Sequence, residues 1–176
     1  FLDEEADHLL KGPYLSMQLP FIKEKMDEDP FQNIELPFPT PYRHQKRAFQ
    51  RLSIDNPQPT IVATGTGSGK TEAFLLPILD YCASKAGQKG IKAIFIYPMN
   101  ALANDQAGRI AQNIYQNEAT RGKVRAGLYV GRGRSGGAAT QTTMTPTQLI
   151  TKHEVLLEDP PDILLTNYKM LDYLLM

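Results

Sequence analysis

Short apolar runs alternate with amphipathic stretches over most of this chain. Four runs are short, rich in apolar or β-branched residues and bounded by turn residues, so we predict strands at 60–63, 91–97, 124–130 and 162–165. Helical patterns lie before and between them, and we predict helices at 43–52, 70–83, 100–116, 146–157 and 168–175. Strands that alternate with helices indicate a parallel α/β sheet with right-handed crossovers.

Two parts of the chain add detail to this outline. The run at 91–97, IKAIFIY, is nearly all apolar, which predicts a strand buried on both faces of the sheet. Prolines interrupt residues 1–41 repeatedly, yet apolar residues recur between them. We therefore expect an N-terminal extension at 1–35, with a short helix near 3–10, that precedes a domain at 36–176 and either covers the back of the sheet or docks a neighbouring domain.

Composition limits the class of protein. The hydrophobic content of 41% is typical of a soluble globular protein. No apolar run approaches the roughly 20 residues that span a bilayer, and no export leader is present, so we expect a cytoplasmic protein without membrane contact. Cys82 is the single cysteine; we expect it to be a packing residue in a reducing compartment. Because the chain starts at Phe1, we expect a fragment of a longer protein.

The net charge of zero hides an asymmetry along the chain. Residues 36–135 hold fourteen Lys/Arg against five Asp/Glu, whereas residues 1–35 hold three against nine. A basic centre is compatible with a polyanion that crosses one face, and ordinary solvated surface is the alternative. Five basic residues cluster without an acidic neighbour: Arg121, Lys123, Arg125, Arg132 and Arg134.

The segment 64–71, TGTGSGKT, carries the clearest chemistry. It follows a predicted strand and opens a predicted helix, the context in which a glycine-rich loop cradles phosphate with its backbone N–H groups. Lys70 would contact the β- and γ-phosphates, and the Thr71 hydroxyl would bind Mg²⁺. We assign catalysis to Lys70 and Thr71, metal binding to Thr71, and nucleotide binding to Thr66, Gly67, Ser68, Gly69, Lys70, Thr71 and Glu72.

One position departs from the strict phosphate-loop pattern. Thr64 stands where the pattern has its first glycine, six positions before the lysine. A glycine-rich surface turn with a chance Lys-Thr pair is the alternative, but the flanking strand and helix favour a nucleotide site.

Together with this loop, the segments YPMNALANDQ (97–106) and DILLTNYKMLDYLL (162–175) resemble the first RecA-like domain of superfamily 2 DEAD/DEAH-box helicases. The resemblance runs from about residue 36 to the end. In detail it is closest to large bacterial helicases with a C-terminal domain of unknown function, some of which belong to phage-defence systems such as DISARM and Druantia. It implies a RecA-like P-loop NTPase fold, ATP and Mg²⁺ as cofactors, and nucleic acid, with DNA favoured over RNA, as a partner.

The resemblance also implies roles for residues outside the phosphate loop. Tyr42 and Gln45, in PYRHQ, resemble the Q motif, whose glutamine reads the adenine edge beside a stacking aromatic residue. A polar face on a surface helix is the alternative for Gln45.

Three further segments resemble motifs that grip a nucleic-acid backbone. Pro98 and Asn100 match motif Ia, although its usual basic residue is missing and helix capping alone would explain Asn100. Gly131 and Arg132 match the glycine-containing motif, and Thr166 and Asn167 match the threonine-containing motif. The resemblance implies nucleic-acid binding for both motifs.

The acidic motif II that hydrolysis requires is not found in its expected place. The acidic runs at 3–7, 27–29 and 158–159 follow no buried strand, so none of them qualifies. The resemblance puts motif II beyond Thr166, and we expect a domain truncated before it, which binds nucleotide weakly and does not hydrolyse it. The remaining helicase chain and defence-system proteins are the implied partners; a double-stranded DNA translocase and a non-enzymatic nucleotide-gated scaffold remain alternatives.

Overall fold

The computed structural model describes residues 20–131 and 140–176, and a three-stranded parallel sheet lies at its centre. The predicted alternation of strands and helices is confirmed. Along the chain the elements are α1 (Arg43–Arg51), α2 (Lys70–Ser84), β1 (Ala93–Tyr97), α3 (Asn100–Gln116), β2 (Ala126–Tyr129), α4 (His153–Glu158), β3 (Ile163–Asn167) and α5 (Tyr168–Leu175). None of the helices in the described ranges is long and apolar enough to cross a bilayer.

The last strand in sequence is the middle strand of the sheet. The order is β1-β3-β2, and β3 pairs in parallel with both neighbours. All five residues of β3 are buried, as expected for a strand enclosed by helices and by neighbouring strands. The carboxyl ends of all three strands therefore meet at one edge, where β1 leads to α3 and β3 leads to α5.

The predicted burial of β1 on both faces is wrong. Only Phe95 is buried, edge-to-face against Phe74 of α2, whereas Ile94 is 46% exposed and Ile96 is 53% exposed. Within the described ranges β1 is an edge strand, and the face that carries the two isoleucines is only about half covered. An apolar sequence thus indicated a strand correctly but not its neighbours.

The strand predicted at 60–63 is also not observed. No strand is formed there, and Ile61 is 94% exposed. A strand needs a neighbour for its backbone groups, and in the part of the chain that the structure describes the sheet ends at β1.

The helix predicted at 146–157 is much shorter. Only α4 forms, because the backbone before it pairs elsewhere. The Thr145 hydroxyl accepts from the Gln148 amide in a turn (3.1 Å), and Ile150 makes a parallel bridge to Gly127 of β2. The amide of Leu128 donates to the Ile150 carbonyl at 2.8 Å, so this β-branched residue extends the sheet instead of a helix.

The described part of the N-terminal segment packs on α1 and α2. Phe31 and Ile34 are buried in the main hydrophobic cluster, and Phe31 stacks edge-to-face on Phe49 of α1. The Asp80 carboxylate of α2 anchors the turn, since it accepts from the backbone amides of Gln32 and Asn33, the latter at 2.6 Å. The predicted helix at 3–10 lies outside the described residues.

Asp80 allows a direct test of this anchoring. Asp80 is only 2% exposed, and Asp80→Ala leaves the backbone amides of Gln32 and Asn33 without their acceptor. We expect the free energy of unfolding to fall by about 3 kcal/mol, measured by urea denaturation. Asp172→Ala, at an exposed position of α5, is the control and should be neutral. Equal stabilities for the two variants would contradict the anchor.

Cys82 is the packing residue that its sequence context indicated. It is fully buried on α2, within the main cluster. Burial, with a smaller contribution from the Asp162 charge, raises the pKa of the Cys82 thiol to about 12. The thiol therefore stays protonated and unreactive at neutral pH.

Candidate functional site

The glycine-rich loop at 64–69 leads directly into α2. Gly67 and Gly69 have φ angles of 72° and 70°, which only glycine adopts without strain, and Gly69 is the N-cap residue of α2. No side chain caps this helix, so its first backbone N–H groups remain available for an anionic ligand. This geometry fits phosphate.

Side chains of the loop hold it in a closed conformation. The Lys70 ammonium donates to the carbonyl oxygens of Thr64 at 2.9 Å and Gly65 at 2.6 Å. The hydroxyls of Thr64 and Ser68 share a hydrogen bond of 2.6 Å. Thr64, the residue that departs from the strict pattern, thus bridges the loop. A phosphate ligand has to draw Lys70 away from these two carbonyls.

Helix α1 is tied to the same loop through Gln45. This side chain is 4% exposed, so the alternative of a polar surface face is wrong. Its Oε1 accepts from the Tyr42 amide at 2.9 Å, and its Nε2 donates to the Gly69 carbonyl at 3.0 Å. A carboxamide nitrogen carries two hydrogens, so one donor remains for a further partner. His44 adds a second connection, because its Nε2–H donates to the Ser68 carbonyl at 2.8 Å.

An aromatic cluster stands beside Gln45. The Tyr42 and His44 rings stack with centroids 5.7 Å apart, and Phe21 packs edge-on against both. Sequence analysis identified Tyr42 but missed Phe21 and His44. Phe21 belongs to a segment without regular structure and without a motif, so only its apolar character marked it.

Thr71 and Glu72, the second and third residues of α2, contact α3. The Thr71 hydroxyl donates to Gln106 Oε1 at 3.3 Å. Glu72 Oε1 accepts from Arg109 at 2.9 Å, while the buried Glu72 Oε2 has no hydrogen-bond partner among the described residues. The first turn of α2 is therefore joined to α3 at two points.

The donor set fits a magnesium–phosphate ligand rather than an all-protein metal site. Among residues 20–131 and 140–176, no group of three or more His, Cys, Asp or Glu side chains comes together to hold a metal. Mg²⁺ commonly keeps its waters and takes one or two protein oxygens together with phosphates. The Thr71 hydroxyl beside Lys70 and the uncapped helix supply such an arrangement.

A cavity of about 790 Å³ adjoins the loop. Its wall includes Lys70, Thr71, Tyr97 and Gln106, together with apolar side chains such as Val62 and Phe74. The Tyr97 hydroxyl is buried without a partner among the described residues, and burial raises the pKa of Tyr97. The end of the glycine-rich loop therefore borders an open, mostly apolar space next to β1.

The predicted nucleic-acid segments meet at the carboxyl edge of the sheet. Asn100 Nδ2 donates to the Gly131 carbonyl at 3.3 Å, and Asn100 Oδ1 accepts from Asn167 Nδ2. The Thr166 hydroxyl donates to the Tyr129 carbonyl at 2.7 Å. Segments that lie up to 67 residues apart in sequence are thus joined by side-chain amides and a hydroxyl.

Asn100 does not cap α3, contrary to the alternative raised from sequence. Met99 is the N-cap residue, and no side chain makes a cap hydrogen bond there. Asn167 caps α5 instead, since its Oδ1 accepts from the Met170 amide at 2.8 Å. Asn100 is therefore free to connect the three segments.

Accessibility divides the residues of this edge. Thr166 and Asn167 are buried, so they shape the edge, whereas Pro98 and Met99 are exposed beside them. Tyr168 is 57% exposed, with the Lys169 ammonium 5.9 Å from its ring centroid, and sequence analysis did not single it out.

Two residues of the predicted basic cluster, Arg132 and Arg134, lie outside the described residues. Within the basic cluster, Arg121 donates to the Tyr115 carbonyl and Arg125 pairs with Asp159.

Comparison with known proteins gives consistent matches. A family model described as DEAD/DEAH box helicase matches residues 42–175. Druantia protein DruE of Escherichia coli is 40% identical over 106 residues, covering 52% of this chain and 6% of the relative. ATP-dependent RNA helicase ROK1 of Eremothecium gossypii is 40% identical over 68 residues, covering 36% and 12%.

A third relative covers more of the chain. Uncharacterized ATP-dependent helicase MJ1574 of Methanocaldococcus jannaschii is 29% identical over 133 residues, which is 75% of this chain and 16% of the relative. The chain thus spans between 6% and 16% of the length of these three curated relatives.

Proposed function

Because this chain belongs to the DEAD/DEAH box helicase family, we propose that residues 36–176 form the first, ATP-binding part of a RecA-like helicase motor domain. In this proposal residues 1–35 precede the motor domain as an extension. The observation that carries the proposal is the uncapped N-terminus of α2, with Lys70 and Thr71 in its first turn. A second feature supports it: three segments that are distant in sequence meet at the carboxyl edge of the sheet.

The proposed ATP site combines the loop and α1. Lys70 would leave the carbonyls of Thr64 and Gly65 to contact the terminal phosphates, and Thr71 would bind Mg²⁺. Bound Mg²⁺ would neutralise charge on the β- and γ-phosphates. The remaining Nε2 hydrogen of Gln45 would read adenine beside Tyr42.

The carboxyl sheet edge is the proposed nucleic-acid site. Helix N-termini offer phosphate contacts without reading sequence, and α3 and α5 both begin at this edge. Pro98, Asn100, Gly131, Arg132, Thr166 and Asn167 would contact or shape the path of the strand. We favour DNA over RNA as the ligand and defence-system proteins as partners, as the sequence resemblance implies. RNA is the alternative that the similarity to ATP-dependent RNA helicase ROK1 favours.

Hydrolysis requires groups from elsewhere in the longer helicase. None of the three described strands ends in an acidic pair of the kind that holds Mg²⁺ and orients water. We propose that this pair lies on a further strand that pairs with the free edge of β1. On its own, residues 1–176 would bind nucleotide weakly without turnover.

The ATPase rate of the full-length protein tests this function. It should be measured without nucleic acid and with single-stranded DNA, duplex DNA or RNA. We expect single-stranded DNA to stimulate turnover about tenfold or more. Stimulation by duplex alone would favour a double-stranded DNA translocase, and no turnover under any condition would favour a non-enzymatic scaffold.

A further inference from the structure

We propose that Gln106 is a positioning residue that orients the Mg²⁺-binding hydroxyl of Thr71 and connects it, through α3, to the nucleic-acid edge. This inference rests on the proposed function, because it concerns the same ATP and nucleic-acid sites. It assigns a role to a residue that the motif assignments above leave without one.

The contact has the right chemistry for this role. A threonine hydroxyl that binds a cation does so through a lone pair and keeps its proton, which then needs an acceptor. Gln106 Oε1 accepts from Thr71 Oγ1 at 3.3 Å. A residue that hydrogen-bonds a metal ligand without binding the metal itself fixes the orientation of that ligand.

A neighbouring carboxylate fixes which end of the Gln106 amide faces Thr71. Gln106 Nε2 donates to Asp105 Oδ2 at 3.0 Å. An ionised carboxylate accepts hydrogen bonds only, so the nitrogen must face Asp105 and the oxygen must face Thr71. The amide therefore presents its oxygen to Thr71 before any ligand binds.

One helix carries both ends of the connection. Helix α3 begins at Asn100, which binds Asn167 and the Gly131 carbonyl at the nucleic-acid edge. Gln106 lies six residues further along, about 9 Å at the rise of an α-helix. A shift of Asn100 on strand binding therefore moves the acceptor of Thr71.

The ion pair between Arg109 of α3 and Glu72 of α2 is a second and weaker connection between these helices. The Arg109 side chain is 50% exposed, so its pairing with Glu72 is screened by solvent. It steadies the two helices but reaches no group of the proposed metal site. Gln106 is half-buried and contacts the metal ligand itself.

Nucleotide binding to the full-length protein tests the inference. Gln106→Met removes the carboxamide at similar length, and Gln112→Met is the matched control at an exposed position of α3. Affinity for a fluorescent ATP analogue is measured against Mg²⁺ concentration, in EDTA, and with single-stranded DNA. We expect Gln106→Met to raise the half-saturating Mg²⁺ concentration about tenfold or more and to remove the effect of DNA on nucleotide affinity. Affinity in EDTA should stay native.

A second substitution shows whether Gln106 acts through Thr71. In a Thr71→Val background, Gln106→Met should have no further effect on the Mg²⁺ dependence, because the hydroxyl is already gone. Additive effects would overturn the inference, as would an equal loss of affinity in EDTA. If Gln106→Met unfolds, as judged by its thermal midpoint, Gln106→Ala replaces it in the same cycle.

The outcomes separate the inference from the proposed function. If the native protein binds nucleotide and responds to DNA, and the Gln106→Met variant behaves identically, the proposed function stands and the inference is wrong. A native protein that binds neither ligand sinks both.

Discussion

Lys70→Ala in the full-length helicase is expected to reduce the kcat of nucleic-acid-stimulated ATP hydrolysis by at least about 10²- to 10³-fold. Electrostatic groups that meet charge developing in a transition state contribute effects of this size. Lys70 is the cation in the wall of the cavity beside the loop, among the described residues. No neighbouring lysine or arginine of that wall can replace it.

The control must separate chemistry from folding. Lys70 also donates to the carbonyls of Thr64 and Gly65, so its removal changes the loop itself. Lys89→Ala, at an exposed lysine beyond α2, should retain native turnover. In Lys70→Ala the thermal midpoint should fall by only about 2–4 °C, because two hydrogen bonds of the loop are lost, and the affinity for single-stranded DNA without nucleotide should stay native. Substantial hydrolysis by this variant would contradict the assignment of the ATP site.

Asp162→Ala is expected to have the largest effect on stability, about 3–5 kcal/mol in the free energy of unfolding. Asp162 Oδ1 pairs with the Lys92 ammonium at 2.8 Å, with side-chain exposures of 11% and 7%. Its Oδ2 accepts from the Arg125 amide at 2.7 Å. Removing the carboxylate leaves a buried ammonium without its counter-charge and a backbone donor without its acceptor.

Urea denaturation measures this effect, and the chain offers a matched control. Asp159 pairs with Arg125 at the surface, with side-chain exposures of 59% and 37%. Asp159→Ala should therefore cost at most about 1 kcal/mol. Combining Asp162→Ala with Lys92→Met should recover part of the loss, because the buried charge is then gone. Equal losses for Asp159→Ala and Asp162→Ala would show that burial of the pair is not decisive.

Local patterns predicted those features that depend on local interactions. The observed bounds of α3 and α5 are those predicted, since amphipathic periodicity and the following breaks act within a few residues. The glycine-rich loop was found because positive φ and a helix start leave a direct mark on sequence. The prediction for α2 differs by a single residue at its end, Ser84.

Features that depend on distant partners were missed. The IKAIFIY run has the composition of a buried strand, but burial depends on what packs against it, and Ile94 and Ile96 stay about half exposed among the described residues. The pattern at 146–157 was read as helix because its composition cannot reveal that Ile150 pairs with Gly127.

The site shows the same division. Lys70 and Thr71 were assigned from one motif, whereas the Thr71–Gln106 contact joins residues 35 positions apart and leaves no local pattern. Asn100 was considered a helix cap because capping is the local option for asparagine. Its actual partners, Gly131 and Asn167, come from other segments.

The strand order has a consequence for synthesis. Among the three strands that the structure describes, β1 and β2 do not pair with each other; both pair with β3, the last of the three in sequence. A growing chain therefore exposes two apolar strands on the ribosome until residues 163–167 emerge and insert between them. The Asp162 carboxylate can form its hydrogen bonds with Lys92 and the Arg125 amide only at the same stage. Pairing in this sheet is thus non-local, the kind of contact that forms slowly during folding.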